Sequence, residues 1–195
     1  MIMKGVHKPL ICCAAFAICL LVATHAALAF TNAPAIGESL PPFKLPIPQD
    51  ARAERYLGLS GPGQFTIAQI EAKVVIIQIF SMYCPVCQKE AFRVNKLYST
   101  IQKRKDLKDK IKMIGIGTGN TPFEVGFFQK KYEVDFPLFS DENLSIHQIL
   151  GELRTPYFIG VKINRDGSNE VFYSRLGQFR DVNSFLKRIV ELSGL

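Results

Sequence analysis

The sequence predicts an α/β fold in which a mixed central sheet is packed between layers of helices. In the first half of the chain, apolar β-branched segments alternate with segments of helical periodicity, which is typical of strands joined by helices. In the second half, two strand-like segments flank residues 164–167, whose Asp-Gly step favours a tight antiparallel turn. With 195 residues, 48% of them hydrophobic, the chain is long and apolar enough for one core.

The first half of the predicted sheet contains two core strands. Residues 74–80 are an apolar run, interrupted by Gln78, that is rich in β-branched side chains, which predicts a strand buried on both faces. Apolar residues then recur every three or four positions over residues 85–104, which predicts a helix. A second core strand is predicted at residues 111–117, before a turn with glycine and asparagine.

A second helix is expected to begin at Thr121 and Pro122, because threonine is a good N-cap and proline fits the first helical position. Phe123, Phe127 and Tyr132 are expected to mark its apolar side. The later elements are predicted as an extended segment at 136–139, a brief helix at 143–150, strands at 157–163 and 170–176, and a final helix at 182–192 capped by Asp181.

The region ahead of the core is predicted to form a hairpin-like extension. Five prolines between residues 34 and 48 predict an extended lead-in, in which residues 43–45 are strand-like. Residues 50–63 contain three glycines and are predicted to be turn-rich. Residues 64–67 are the second strand-like segment of this extension.

The first 29 residues have the features of a secretory signal peptide. Lys4 and Lys8 precede an apolar stretch, and the Ala-Leu-Ala of residues 27–29 supplies the small residues that signal peptidase requires. An uncleaved membrane anchor is the alternative, because the apolar stretch is nearly long enough to cross a bilayer. In either case residues 30–195 are predicted to be one exported domain. It is expected in the periplasm or, if the anchor is retained, attached to the membrane and facing the periplasm or the extracellular side.

The charge of the chain does not indicate a nucleic-acid partner. The formal net charge is +7, and removing residues 1–29, which contain two lysines and no acid, leaves 22 basic and 17 acidic side chains. An excess of this size is ordinary for a soluble surface. Contact with a membrane is expected only if residues 1–29 are retained.

Cys84 and Cys87 form a Cys-x-x-Cys motif at the predicted junction between strand and helix. A helix N-terminus has unpaired N–H groups and a partial positive charge, which lowers the pKa of a cysteine there. Cys84 is therefore predicted to be the nucleophile, and Cys87, one turn later, the thiol that resolves a mixed disulfide. The remaining cysteines, Cys12, Cys13 and Cys19, all lie in the signal segment, so the exported part can form only a Cys84–Cys87 disulfide.

A static disulfide or half of a zinc site would have the same spacing. Structural zinc normally takes four ligands, and beyond residue 29 the chain adds only His147 to the two thiols as a nitrogen or sulfur ligand. The sequence therefore favours a redox site, without a metal or other cofactor.

Four features along the chain carry a family resemblance. They are Cys-x-x-Cys-x-x-Glu at residues 84–90, Asp-Phe-Pro at 135–137, Thr155-Pro156 before a strand, and the turn at 164–167. Together they resemble the thioredoxin fold and, more narrowly, the exported thiol–disulfide oxidoreductases of the TlpA/ResA type in the redoxin group. The resemblance covers about residues 40–192 and implies a thioredoxin-like three-layer α/β/α sandwich.

The resemblance also implies roles for individual residues. Thr155 and Pro156 are expected to form a cis-proline loop that faces the disulfide and pairs with an extended substrate segment. Tyr83, where related proteins often have tryptophan, is expected to contact substrate. Glu90 is expected to exchange a proton with the buried thiol, although a solvated acid in the first helical turns fits the position equally well. Gln78 replaces the buried carboxylate of thioredoxin.

The predicted function is reduction of disulfides in exported partner proteins. By resemblance, the partners include apocytochromes c or other exported cysteine proteins, with electrons supplied by a membrane donor. A peroxiredoxin is the alternative enzyme, because Ser81 stands three positions before Cys84 and Arg154 could approach, although Ile77 replaces that family's proline. A Cu(I) carrier that uses both thiolates is a less favoured alternative.

Overall fold

The computed structural model describes Met1 and residues 33–195. Apart from Met1, the predicted signal or anchor segment lies outside these residues. Within the described part of the chain, no helix is both long enough and apolar enough to span a membrane.

A five-stranded mixed sheet and a two-stranded sheet form the β structure. In chain order the strands are β1 (Leu45–Pro46), β2 (Gln64–Phe65), β3 (Val74–Phe80), β4 (Ile111–Thr118), β5 (Leu138–Asp141), β6 (Tyr157–Ile163) and β7 (Asn169–Leu176). β1 pairs with β2, and the large sheet has the order β5-β4-β3-β6-β7. β3, β4 and β5 are parallel, whereas β6 and β7 are joined to them by antiparallel pairing. The predicted mixed sheet with residues 74–80 at its centre is confirmed.

Within residues 33–195, five α-helices cover the two faces of the large sheet. They are α1 (Ala51–Leu57), α2 (Pro85–Lys103), α3 (Pro122–Lys131), α4 (Ser145–Ile149) and α5 (Val182–Ser193). Buried residues of α2, α3 and α5 pack with Val74, Ile76 and Phe80 of β3. The two-stranded sheet, α1 and α4 pack on the opposite face, against the alternate residues of β3. This layering confirms the expected thioredoxin-like α/β/α fold.

The parallel pairing of β3 and β4 positions the loops that follow them. Phe80, at the end of β3, lies opposite Gly117 of β4, so both strands end at the same edge of the sheet. The chain then enters α2 through Cys84 and α3 through Asn120. The two loops therefore lie side by side, and the backbone N–H of Met82 donates to Asn120 Oδ1 over 2.8 Å.

The prediction that residues 50–63 lack regular structure is wrong, because this stretch contains α1. Asp50 caps the helix by accepting a hydrogen bond from the Ala53 N–H over 3.0 Å. Gly58 ends it in the left-handed conformation that glycine favours, with φ of 68°. The expected hairpin-like extension exists as the antiparallel β1–β2 pair, but a helix joins its strands instead of a tight turn.

The predicted apolar side of α3 is also wrong. Phe123 and Phe127 are 81% and 49% exposed, whereas Val125 and Phe128 are buried against the sheet. The reason lies in β4, because Gly117 has no side chain and leaves the space that Val125 fills: a Cβ on Gly117 would lie 2.8 Å from Val125 Cγ2. The helix is rotated to fit this gap, which helical periodicity alone does not indicate.

The assignment of the core face can be tested by truncating two phenylalanines. Phe80 is fully buried, and its ring centroid lies 4.6 Å from that of Phe128. We expect Phe80→Ala to lower the free energy of unfolding by about 3–5 kcal/mol, because the change leaves a cavity in the core. Phe123→Ala is the matched control and should change it by less than about 0.5 kcal/mol. Chemical denaturation measures both, and equal losses would contradict the assignment.

Candidate active site

Cys84 and Cys87 lie at the junction between β3 and α2. Cys84 is the N-cap residue of α2, and Pro85 is its first helical residue. The backbone N–H of Cys87 donates to Cys84 Sγ over 3.4 Å, so one of the free donors of the helix N-terminus points at this sulfur. Cys84 is partly exposed and Cys87 is buried, and both are free thiols. The fold therefore brings the two predicted redox residues together, one accessible and one enclosed.

The environment of Cys84 favours its thiolate. Partial burial raises the pKa of the thiol, but hydrogen bonds with Thr155, with the Cys87 side chain and with the backbone of Val86 and Cys87 outweigh this effect. The net pKa of Cys84 therefore lies below its ordinary value. This direction agrees with the expectation for a thiol at a helix N-terminus.

Cys87 has the opposite character. Burial raises the pKa of its thiol to about 12, and a hydrogen bond with the Ser81 backbone offsets this only in part. The neighbouring Cys84 sulfur also favours the neutral form of Cys87. Cys87 is therefore a protonated, protected thiol at neutral pH, and it needs a base before it can react.

The loop before β6 faces Cys84. The Thr155–Pro156 peptide bond is cis, as the family resemblance implies. The Cys84 thiol donates to the Thr155 carbonyl oxygen over 3.5 Å. The Pro156 carbonyl accepts a hydrogen bond from the Gly177 N–H over 2.8 Å, which ties the loop to the segment that follows β7. The expected proximity of Thr155 and Pro156 to the thiols is present.

Glu90 is enclosed one turn beyond Cys87, with none of its surface exposed. Its Oε1 accepts a hydrogen bond from the Phe179 N–H over 3.0 Å, and its Oε2 has no hydrogen-bond partner in the described structure. Burial raises the pKa of Glu90 to about 7, although the Phe179 N–H and the charge of Arg93 oppose the shift. The alternative interpretation of Glu90 as a solvated acid does not fit this environment. A carboxyl group with this pKa can take or give a proton near neutral pH.

Tyr83 stands on the surface beside Cys84, and its side chain is 64% exposed. Its hydroxyl donates to Glu124 of α3, and this contact raises the pKa of the Tyr83 phenol and lowers the pKa of the Glu124 carboxyl. The Glu124 carboxylate also accepts from the Thr121 N–H over 2.7 Å. The Tyr83 side chain is therefore exposed to solvent, where a substrate can reach it. Its hydrogen bond to Glu124 of α3 fixes the position of the ring.

Three residues that support the site were missed in the sequence. Asn120 is fully buried, and its Oδ1 accepts a hydrogen bond from the Met82 N–H. Gln88 Nε2 donates to the Met82 carbonyl oxygen over 2.7 Å. Phe179 supplies the N–H for Glu90. Asn120 and Phe179 bond to residues that are distant in sequence, whereas Gln88 bonds to Met82, six positions before it. For Glu124, which contacts Tyr83, the Thr-x-x-Glu pattern of a capping box is a signal in the sequence.

Ser81 and Arg154, the residues expected to support peroxidase chemistry, are not hydrogen-bonded to the Cys84 sulfur in the described structure. Ser81 Oγ accepts a hydrogen bond from the Tyr83 N–H over 3.4 Å, and Arg154 is exposed. Within residues 33–195, neither side chain is a hydrogen-bond partner of the Cys84 sulfur. The same residues contain no group of three or more His, Cys, Asp or Glu side chains arranged to hold a metal ion.

The contrast between the two thiols predicts selective alkylation. In the reduced protein we expect iodoacetamide to modify Cys84, with a rate profile whose midpoint lies below the value of about 8.5 for a free cysteine. Cys87 should stay unmodified until the protein unfolds, because it is buried and its pKa is raised. Peptide mapping by mass spectrometry after timed quenching measures both rates. Equal modification of the two cysteines in the folded protein would contradict the described geometry.

Comparison with known sequences places this site in a family. Residues 36–166 match the sequence profile of the AhpC/TSA family. The chain belongs to the AhpC/TSA family. Membership in this redoxin family confirms the resemblance seen in the sequence and makes the chain a thioredoxin-fold oxidoreductase that acts on thiols and disulfides. No curated protein matches the sequence.

Solved structures share the fold of this AhpC/TSA family member at low sequence identity. A putative thiol:disulfide interchange protein DsbE from Chlorobium tepidum is 15% identical with a TM-score of 0.60, over 83% of this chain and 100% of that one. A putative protein disulfide isomerase from Bacteroides thetaiotaomicron is 22% identical with a TM-score of 0.60, over 83% and 92%. A secreted disulfide oxidoreductase from Mycobacterium tuberculosis is 17% identical with a TM-score of 0.51, over 67% and 90%. These likenesses show the fold.

Proposed function

We propose that this protein is an exported thiol–disulfide oxidoreductase that reduces disulfides in partner proteins through Cys84 and Cys87. One observation carries the proposal, namely that an accessible thiol of lowered pKa is paired with a buried thiol one helical turn away. Such a pair can attack a foreign disulfide and then release the product by an intramolecular step.

The first step is attack by the Cys84 thiolate on one sulfur of a client disulfide. A bond forms between Cys84 Sγ and that sulfur, and the client's other sulfur leaves as a thiolate, which takes a proton from water. The Thr155 backbone, whose carbonyl lies 3.5 Å from Cys84 Sγ, is placed to pair with an extended client segment. Exposed Tyr83 borders the same surface and supplies an aromatic contact.

The second step is attack by Cys87 on Cys84 Sγ, which breaks the mixed disulfide. Cys87 must first lose its proton, and Glu90, with one unpaired buried oxygen and a pKa of about 7, is the group proposed to accept it. The client's second sulfur leaves as a thiolate and takes up the proton held by Glu90, and Cys84 and Cys87 are left as a disulfide. Two electrons have then passed from the dithiol to the client.

The environment of Cys84 supports reduction as the direction. Strong oxidants of this fold owe their potential to a heavily stabilised thiolate in the reduced form. In the described residues no lysine or arginine side chain bonds to Cys84 Sγ, and the group that donates to this sulfur is the neutral backbone N–H of Cys87. The features of residues 1–29 support export to the periplasm. The family resemblance supports exported cysteine proteins such as apocytochromes c as clients and a membrane protein as electron donor.

The direction is tested by the equilibrium potential of the Cys84–Cys87 pair against glutathione. We expect a potential below the glutathione poise of about −220 to −260 mV, together with accelerated reduction of insulin. A potential near the value of about −120 mV that is typical of a strong oxidant would overturn the direction.

A thiol peroxidase is the second candidate, because the AhpC/TSA match favours it and Ser81 stands three positions before Cys84 in the sequence. In that reaction the Cys84 thiolate attacks a peroxide oxygen, which gives a sulfenic acid and releases the second oxygen as water or alcohol. Cys87 then condenses with the sulfenic acid to give the disulfide and water. Consumption of hydrogen peroxide, measured beside insulin reduction on one preparation, separates the two activities. Peroxide turnover without insulin reduction would make this candidate the primary function.

A further inference from the structure

An open groove of about 580 Å³ lies between β7 and α5. Three arginines line it from three different elements: Arg175 from β7, Arg180 from the following loop and Arg188 from α5. All three side chains are exposed, and none takes part in the ion pairs found among the described residues. The carboxylate in the lining, Asp181, is occupied as the cap of α5, where it accepts from the Ser184 N–H over 2.7 Å. The groove therefore has an excess of positive charge.

The floor of the groove is aromatic and tightly packed. The rings of Phe179 and Phe185 are stacked at 4.4 Å, and Phe158 meets both of them edge to face. Tyr173 borders the same floor. Burial raises the pKa of its phenol, and the positive charges of Arg175 and Arg188 oppose this shift. A ligand with carboxylates on a partly apolar body would fit this combination.

The groove is continuous with the candidate active site. The segment from Gly177 to Phe179 forms part of its wall and reaches each part of the site through a separate hydrogen bond. Gly177 donates to the Pro156 carbonyl over 2.8 Å, Gln178 Nε2 to the Val86 carbonyl over 3.4 Å, and the Phe179 N–H to Glu90. A polypeptide held at Thr155 therefore has a direct path into the groove.

We propose that this groove binds an acidic segment that flanks the reactive cysteine of the client. The inference rests on the proposed disulfide exchange and adds a substrate class to it. The three guanidinium groups can pair with carboxylates of successive client residues, while the aromatic floor takes the apolar parts of the segment. A peptide fits better than a small anion, because the arginines come from three elements around a groove that holds several side chains.

The test compares two disulfide-bonded peptides with identical residues around the cysteine and three aspartates or three asparagines in the flank. We expect the wild-type protein to reduce the aspartate peptide with the higher kcat/KM, and this preference to fall as salt is added. In the Arg175→Gln/Arg180→Gln/Arg188→Gln variant, kcat/KM for the aspartate peptide should fall about tenfold. The asparagine peptide and a small aromatic disulfide should react as before. Thermal unfolding checks that the triple variant is folded. If it is not, the single variant Arg180→Gln is used, for which we expect a smaller loss of kcat/KM with the aspartate peptide.

A charge-matched control separates the groove from general electrostatics. Lys103, Lys105 and Lys130 are exposed and do not line the groove, so replacing all three with glutamine lowers the net charge equally and should leave the preference intact. No preference in the wild type, the same loss in this control, or an equal loss for both peptides would each overturn the inference. So would a loss of the preference in inorganic phosphate that is greater than its loss in sodium chloride of equal ionic strength, because the groove would then be a small-anion site. If the wild type reduces none of the disulfides, the proposed function itself fails.

Discussion

The Cys84→Ser variant is expected to lose disulfide reduction by a factor of about 10³ or more, the largest effect of any substitution in this protein. A serine hydroxyl is a far weaker nucleophile than a thiolate at neutral pH. The remaining Cys87 cannot replace it, because that thiol is buried and its pKa is raised to about 12. Insulin reduction with excess dithiothreitol, corrected for the uncatalysed rate, measures the loss.

The Cys87→Ser variant should differ in kind from the Cys84 variant. Cys84 remains able to attack a client, but no second thiol can break the mixed disulfide, so a covalent adduct should accumulate. Non-reducing electrophoresis and intact-mass analysis after mixing with an oxidised client measure the adduct. Adduct in the Cys84→Ser variant instead would reverse the assigned roles, and normal turnover in either variant would sink the exchange mechanism. The double variant, which should give neither adduct nor turnover, is the control.

The Glu90→Gln variant is expected to remove about 3 kcal/mol of pH dependence from the free energy of unfolding. The pKa of Glu90 is about 7 in the folded protein and 4.5 in its ordinary state. Between these values the folded protein keeps a proton that the unfolded chain has lost, so stability falls as pH rises through this window. The stabilisation is fully present below pH 4.5, and each pH unit removes about 1.4 kcal/mol of it.

Glutamine keeps the oxygen that accepts from the Phe179 N–H but has no proton to lose. The difference in unfolding free energy between the variant and the wild type should therefore grow in favour of the variant from pH 4.5 to pH 8. Urea titrations at several pH values measure it. Glu142→Gln, on the surface, is the control and should show no such trend. A constant difference across the window would contradict the buried, proton-holding state of Glu90.

The Cys84–Cys87 pair could be predicted from the sequence because it depends on local features. The spacing of Cys84 and Cys87, the proline between them and the apolar run before them together indicate a thiol pair at a helix N-terminus. The same holds for β3, whose six apolar residues among seven favour burial, and for the Asp181 cap of α5. In each case the residues that make the contact are neighbours in the chain.

The failures of sequence reasoning arose where distant residues decide the outcome. The buried face of α3 depends on the gap above Gly117, a residue of another strand, so the exposed Phe123 and Phe127 were mistaken for core. α1 was missed because three nearby glycines predicted turns, whereas one of them ends the helix and Asp50 begins it.

By itself, the sequence determined that a Cys-x-x-Cys pair follows a buried central strand of an α/β sheet. Local spacing and hydrophobic pattern are enough for that, since they act between neighbours in the chain. Only the tertiary structure decided that Glu90 is enclosed beneath Phe179 and that Arg175, Arg180 and Arg188 line one groove. The protonation of a carboxyl group and the charge of a groove depend on what the folded chain packs around them, and those neighbours come from elements that are far apart in the sequence.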